Sequence, residues 1–249
     1  MFSNKDLRKL IIPLVIEQLL AVTIGMADTV MVSSCGEAAV SGISLVDSIN
    51  FAHHAVFFFG DGRRGHCVPV HRARRPQKRK SCGKAAFYAS LALSAVLGII
   101  AVFFRKPVLN MVFGSIEADV MAHAQIYFLL SAISYPFLAV YNAGAALFRS
   151  MGDSRTTMLI SILMNTINIV GNAILIYGFQ MAAAGAATAS LVSRAVGAII
   201  ITVLLLNPHR IIFYDKLHKP EIHLSMLKSI LQIGVPNGLE NSIFQIGKI

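Results

Sequence analysis

Long apolar blocks recur along this chain, and they constrain its fold more than any other feature. An α-helix needs about 20 consecutive apolar residues to cross the hydrocarbon core of a bilayer. Six such blocks run approximately over residues 9–32, 40–59, 85–104, 119–148, 156–178 and 183–206, and a seventh begins near residue 225. Only 14% of the residues are charged, against about 25% in a soluble domain. We therefore predict an all-α membrane protein, a bundle of six transmembrane helices followed by the start of a seventh helix.

The basic residues are distributed unequally among the loops. Lys and Arg occur at the N-terminus and after the second, fourth and sixth blocks, whereas the loops around Gly36 and Phe179 have none. Arg105 and Lys106 are exceptions to this alternation. Because cytoplasmic loops carry an excess of Lys and Arg, we predict a multi-pass protein of the cell inner membrane with a cytoplasmic N-terminus.

A short repeat indicates an internal duplication. The first block contains Pro13-Leu-Val-Ile-Glu17-Gln18, and the seventh contains Pro236-Asn-Gly-Leu-Glu240-Asn241. Many transporters are built from duplicated bundles with the substrate site between the halves. The prediction is therefore a six-helix lobe over residues 1–206, a cytoplasmic linker over 207–224 and the start of a truncated second lobe over 225–249.

Residues 52–84 form an anomalous basic segment within this pattern. Nine of the 22 Lys and Arg lie between Arg63 and Lys84. The net charge of +10 is therefore local, and it does not indicate a surface for nucleic acid. Arg63 and Arg64 would each cost about 2.5–3.5 kcal/mol at the centre of a membrane helix. Two interpretations stay open, a compensated frameshift in the gene and a genuine basic loop after a shortened second span.

Polar residues inside apolar blocks are costly, so each one is a functional candidate. Asp28 lies in the first block, where a buried carboxyl group could exchange a proton, bind Na⁺ or face a cationic substrate. The alternative is a carboxylate solvated near the end of the helix. Glu17 and Gln18 lie three turns earlier, after Pro13, and they could face a cavity or reach the headgroup region.

An amide stripe marks the fifth block. Spacings of three and four residues place Asn165, Asn168 and Asn172 on one helical face, which should face the bundle interior because amides are costly in lipid. They could line a site or join helices by hydrogen bonds. Weaker candidates of the same kind are Tyr127, Thr188 and Ser190. Arg194 could extend to the headgroups. No phosphate-binding glycine loop and no other nucleotide-binding signature occurs, so the energy for transport is expected to come from an ion gradient (H⁺ or Na⁺) or from a partner chain. Nothing in the sequence indicates an enzyme or a cofactor.

Several motifs resemble those of the multidrug and toxin extrusion (MATE) family, most closely its DinF-like prokaryotic branch. The similar segments are Ala27–Val32, Phe148–Ser154, Asn168–Gly178, Gly185–Ser190 and Pro236–Asn241. The resemblance implies a two-lobed antiporter that exports small amphipathic or cationic drugs across the lipid bilayer in exchange for H⁺ or Na⁺. In this chain the second lobe could be supplied by another chain.

The resemblance also implies roles for particular residues. Asp28 matches a first-helix carboxylate used for cation coupling, and Glu240 matches an acidic position in the second lobe. Asn168 and Asn172 match a polar pair on the fifth helix. In some members the second of this pair is Asp, so Asn172 puts a two-carboxylate coupling site in doubt.

Two alternatives compete with drug antiport. A lipid-linked oligosaccharide flippase of the same superfamily would have several arginines in its cavity, whereas Arg194 is the sole intramembrane arginine of the blocks outside the basic segment. The other alternative is a non-transporting fragment, either the product of a degraded gene or a lobe that needs a partner.

Overall fold

A computed structural model describes residues 4–57, 76–114, 116–150 and 152–206 of the chain. These residues form six long α-helices and no β-strand. The helices are α1 (Asn4–Ser33), α2 (Glu37–Phe57), α3 (Pro76–Phe113), α4 (Ala118–Ser150), α5 (Ser154–Asn172) and α6 (Ala182–Leu205), and α5 continues as a π-helical segment, Ala173–Gly178. The all-α prediction is confirmed. The predicted linker (207–224) and the start of a seventh helix (225–249) lie outside the described residues.

Four segments of the described chain are long and apolar enough to cross a membrane. They are Ser90–Phe113, Ala118–Arg149, Ser154–Gly178 and Ala182–Leu205. The protein is therefore a membrane protein, while the count of six membrane-spanning helices stays a prediction.

Helix α3 is longer than the apolar block that predicted it. It begins at Pro76, nine residues before the block, and ends at Phe113. Proline is well tolerated in the first turn of a helix, because the N–H it lacks would have no partner there. Arg105 and Lys106, which were predicted to lie in a loop, lie within α3. The apolar block therefore marks the middle of this helix and not its ends.

Helix α4 is central to the bundle. It packs against α2, α3 and α6, while α5 packs against α1 and α6. Small residues bring the backbones together: a Cβ added at Gly98 of α3 would lie 3.0 Å from the carbonyl oxygen of Ala132, and one added at Gly42 of α2 would lie equally close to that of Val120. Close approach at small residues is the usual mode of helix packing in membranes.

The two ends of the bundle differ in their buried residues. The C-terminal parts of α4 and α6 meet α5 in a buried apolar cluster that includes Phe148, Ile160 and Ile201. The C-terminal part of α1 and the N-terminal parts of α2, α4 and α6 meet at the other end, where buried apolar residues are mixed with carboxyl, amide and hydroxyl groups. This arrangement places the candidate site near the turns that join α1 to α2 and α5 to α6.

Candidate functional site

A cavity of about 100 Å³ lies between α1, α2, α4 and α6. Its lining residues are Asp28, Thr29, Val32, Val40, Ile43, Ser44, Asp47, Tyr127, Ala186 and Ser190. Pockets for drug-sized ligands usually enclose about 300–1,000 Å³. This cavity is therefore matched to an ion with a few water molecules and not to a whole drug.

Asp28 is held by the amide stripe that the sequence predicted. The side-chain nitrogen of Asn172 donates a hydrogen bond to Oδ1 of Asp28 at 2.5 Å and a longer one to Oδ1 of Asn168 at 3.4 Å. The nitrogen of Asn168 donates in turn to Oγ of Ser190 at 3.0 Å. Both asparagines are buried, which confirms that this face of α5 points into the bundle. A continuous polar chain therefore joins α1, α5 and α6.

The side-chain oxygen of Asn172 has no hydrogen-bond partner within the described part of the chain, although it is fully buried. A buried acceptor without a donor costs about 1–3 kcal/mol. Since its own nitrogen contacts Asp28, this oxygen lies one amide group away from the carboxylate. Asn172 holds Asp28 from behind and is not itself one of the residues that line the cavity.

A second carboxylate, Asp47 of α2, lines the same cavity. Its Oδ1 accepts hydrogen bonds from the hydroxyl of Tyr127 at 3.2 Å and from the nitrogen of Asn50 at 3.3 Å. The hydroxyl of Tyr135 donates to Oδ1 of Asn50 at 2.6 Å. Sequence analysis did not select Asp47. The signal was present, because Asp47 is a carboxylate inside an apolar block and the rule that selected Asp28 applies to it equally.

Arg194 provides a positive charge beside the two carboxylates. Its guanidinium donates to Oγ of Ser134 on α4 at 2.5 Å and interacts electrostatically with both Asp28 and Asp47. The side chain therefore turns inward to α4. This finding differs from the alternative in which Arg194 reaches the headgroup region.

Three further residues that the sequence predicted, Glu17, Asn165 and Thr188, do not line the cavity. Glu17 forms an ion pair with Arg149 of α4, with 3.2 Å between Oε1 and Nη1, and it does not line the cavity. The nitrogen of Asn165 donates to Ser161, one turn earlier on the same helix, at 3.5 Å, and Thr188 donates to a carbonyl oxygen of its own helix. Gln18 follows Glu17 on α1, and Glu240 lies outside the described residues.

Comparison with known proteins places these features in a family. The MatE family model matches residues 13–174. The chain is 29% identical over 253 residues to the probable multidrug resistance protein NorM of Thermotoga maritima, covering 98% of this chain and 53% of that protein. It is 23% identical over 229 residues to the multidrug export protein MepA of Staphylococcus haemolyticus, covering 90% of this chain and 50% of that protein.

The fold has a solved counterpart. The structure of an outward-facing multidrug resistance MATE family transporter of the MOP superfamily superimposes with a TM-score of 0.86 at 22% identity, over 95% of this chain and 52% of that one. At this identity the likeness shows the fold alone. The chain thus spans about half the length of the curated relatives and of the solved structure that it matches.

Proposed function

This chain belongs to the MatE family of membrane transporters, and we propose that it forms the N-terminal lobe of a secondary multidrug transporter. In this proposal the complete transporter exports small amphipathic or cationic compounds in exchange for H⁺ or Na⁺. The second lobe would close the opposite wall of a central substrate site, and the N-terminus would face the cytoplasm of the cell whose inner membrane the protein crosses.

The observation that carries the proposal is the contact between Asp28 and Asn172. A carboxylate inside a membrane bundle is costly unless it has a function or a partner, and here its Oδ1 accepts a hydrogen bond from a buried amide on a different helix. Ser190 and Thr29 add hydroxyl groups to the cavity beside it. Carboxylate, hydroxyl and carbonyl oxygens are the ligands that hard cations prefer.

The same contact provides a coupling mechanism. A proton or Na⁺ that binds Asp28 competes with the Asn172 nitrogen for the carboxylate oxygen, so cation binding weakens the bridge between α1 and α5. The π-helical segment Ala173–Gly178 begins immediately after Asn172. Single π-helical turns interrupt α-helices frequently at functional sites, and this one allows the end of α5 to repack when the bridge is released. A change in the packing of α1 against α5 is then transmitted to the substrate site.

The proposal is tested by gradient-driven transport in liposomes that contain the chain together with a second lobe. An imposed pH or Na⁺ gradient should drive movement of ethidium, a lipophilic cation, and Asp28→Asn should abolish that movement. Asp119→Asn is the matched control, because Asp119 is an exposed carboxylate in the first turn of α4. Transport by Asp28→Asn at the wild-type rate would remove Asp28 from the mechanism.

A lobe that does not transport by itself is the second candidate. Because the chain matches about half of each relative, a central cavity between two lobes would need a partner. Ethidium transport by the 249 residues alone would exclude this candidate. Transport that appears only when a second lobe is co-expressed would support it.

A flippase for lipid-linked oligosaccharides fits the cavity less well. Such a protein needs positive charge to hold a phosphorylated lipid, whereas the cavity in the described part of the chain is lined by two carboxylates and by no arginine. Arg194 is the nearby cation, and it interacts with those carboxylates. The charge of the cavity therefore favours a cationic ligand.

A further inference from the structure

We propose that Asp47 is a second cation-binding carboxylate of this cavity, and that Asp28 and Asp47 together hold one monovalent cation, H⁺ or Na⁺. The inference rests on the proposed cation coupling at Asp28. It adds Asp47 to the cation site and sets the number of bound cations at one.

The two carboxylates come from two different helices and line the same small cavity. Asp28 comes from α1 and Asp47 from α2, and both line the cavity of about 100 Å³. They interact electrostatically, and each has its hydrogen bonds from other partners: Asn172 donates to Asp28, and Tyr127 and Asn50 donate to Asp47. An ion between them would have carboxylate ligands from two helices.

The positions of these hydrogen bonds leave oxygen atoms for the ion. Both donors to Asp47 bond to Oδ1, so within the described residues Oδ2 is available. The oxygen of Asn172 is buried and without a partner in the described chain, and it belongs to the amide group whose nitrogen bonds to Asp28. This orphaned acceptor is independent of the acidic residues, and it too indicates that something with positive charge or a donor belongs there.

Charge balance sets how many cations the cavity takes. Arg194 of α6 acts on both carboxylates, and Asp47 acts on Asp28. Tyr127 and Tyr135 of α4 face Asp47 as neutral hydroxyl groups. Two carboxylates and one guanidinium leave one negative charge. Because an uncompensated buried charge is strongly unfavourable, the cavity gains most from one monovalent cation, and a second would restore an imbalance.

The experiment measures cation binding to the purified full chain in lipid nanodiscs. At alkaline pH, the binding of ²²Na⁺ is measured for four proteins: the wild type, Asp28→Asn, Asp47→Asn and the exposed control Asp119→Asn. The wild type and the control should bind one equivalent, and each cavity variant should bind about 100-fold more weakly, as expected when one partner of a buried charge interaction is removed. Acidification should displace the Na⁺ if the two cations share the site.

A proton arm covers the case in which the wild type binds no Na⁺. Infrared difference spectra follow the carbonyl stretch of protonated carboxyl groups as the pH falls. Asp47→Asn should change the pH at which the remaining Asp28 band appears, whereas Asp119→Asn should leave it unchanged. An unchanged band in both variants would overturn the shared site.

A charge-count variant tests the stoichiometry independently of whether Asp47→Asn folds. Arg194→Gln retains a donor for Ser134 but leaves two negative charges, so it should bind two equivalents of cation. A single equivalent in Arg194→Gln would overturn the inference. Loss of binding in Asp28→Asn with wild-type binding in Asp47→Asn would overturn the role of Asp47 alone, whereas binding unaffected by either variant would overturn the proposed coupling at Asp28 as well.

Discussion

The ion pair between Glu17 of α1 and Arg149 of α4 predicts a measurable coupling between two helices that otherwise contact each other little. Helix α1 packs mainly against α5, so this pair is its principal link to α4. The side chains are 13% and 17% exposed, and their charged atoms are 3.2 Å apart. Breaking the pair should therefore destabilise the bundle more than breaking an exposed ion pair would.

The magnitude lies between two known limits. At an effective dielectric constant of about 20, unit charges 3.2 Å apart attract by roughly 5 kcal/mol before desolvation is subtracted. Exposed pairs contribute about 0–1 kcal/mol, and removing one partner of a fully buried pair costs about 3–5 kcal/mol. Since these side chains are mostly buried, Glu17→Gln should lower the free energy of unfolding by about 2–3 kcal/mol.

The structure also predicts which of the two single variants, Glu17→Gln or Arg149→Gln, loses more stability. Nε of Arg149 is buried and has no hydrogen-bond partner in the described chain. In Glu17→Gln the guanidinium therefore loses its carboxylate partner while its Nε already lacks an acceptor. We expect Glu17→Gln to be the more destabilising of the two, and the double variant to be less destabilised than the sum of the single variants.

The assay is a double-mutant cycle. Reversible unfolding in mixed micelles gives the free energy of unfolding for the wild type, both single variants and the double variant, and the cycle isolates the pairwise coupling. The control is Arg155→Gln, which removes an exposed charge and should change stability by less than about 0.5 kcal/mol. A coupling below about 0.5 kcal/mol would refute the reasoning, because it would mean that solvent screens the pair.

Two further predictions concern packing and capping. Gly98→Ala should destabilise the bundle by about 1–3 kcal/mol, because its methyl group would lie 3.0 Å from the carbonyl oxygen of Ala132; Gly178→Ala, which meets nothing within 4 Å, should show no loss in the same unfolding assay. Asp153 caps α5 by accepting a hydrogen bond from a backbone N–H, so Asp153→Ala should cost about 0.5–2 kcal/mol. Asp153→Asn should retain most of that stability, and equal losses in both variants would contradict a capping role.

The sequence predicted the helices well where apolarity and helix coincide. The blocks at 119–148 and 183–206 agree with α4 and α6 to within two residues at each end, because these helices are apolar along their whole length. Helix α3 was predicted too short. Its first turns are polar, and apolar periodicity detects burial or lipid contact and not backbone hydrogen bonding.

The amide stripe shows both the use and the limit of periodicity. Helical spacing correctly placed Asn168 and Asn172 on an inward face. Asn165 has the same spacing but bonds to Ser161 on its own helix. Seven residues separate it from Asn172, which corresponds to about 10 Å along the helix axis, so it lies at a different depth from Asp28. Periodicity gives the face of a residue but not the level at which another helix presents its partner.

Asp47 shows that a local sequence pattern does not predict contacts between residues far apart in the chain. The partner of Asp47, Tyr127, is 80 residues away in the chain. Whether Asp47 lies in the same cavity as Asp28 depends on how α2 packs against α4 and on where α1 ends. Apolar blocks specify neither of these. The same is true of Arg194, whose contact with Ser134 spans 60 residues.

The presence of Asp47 changes the argument about position 172. This chain has Asn172 where some members of the family have Asp, which put a two-carboxylate coupling site in this lobe in doubt. In the structure two carboxylates nevertheless line one cavity, the second of them on α2. Asn172 then has a different consequence: as a neutral donor it holds Asp28 without adding charge. A carboxylate at position 172 would place a third acid next to Asp28, against the one guanidinium of Arg194. Since each uncompensated buried charge is costly, an amide at position 172 keeps the net charge of Asp28, Asp47 and Arg194 at minus one, which is the charge that the proposed single cation would neutralise.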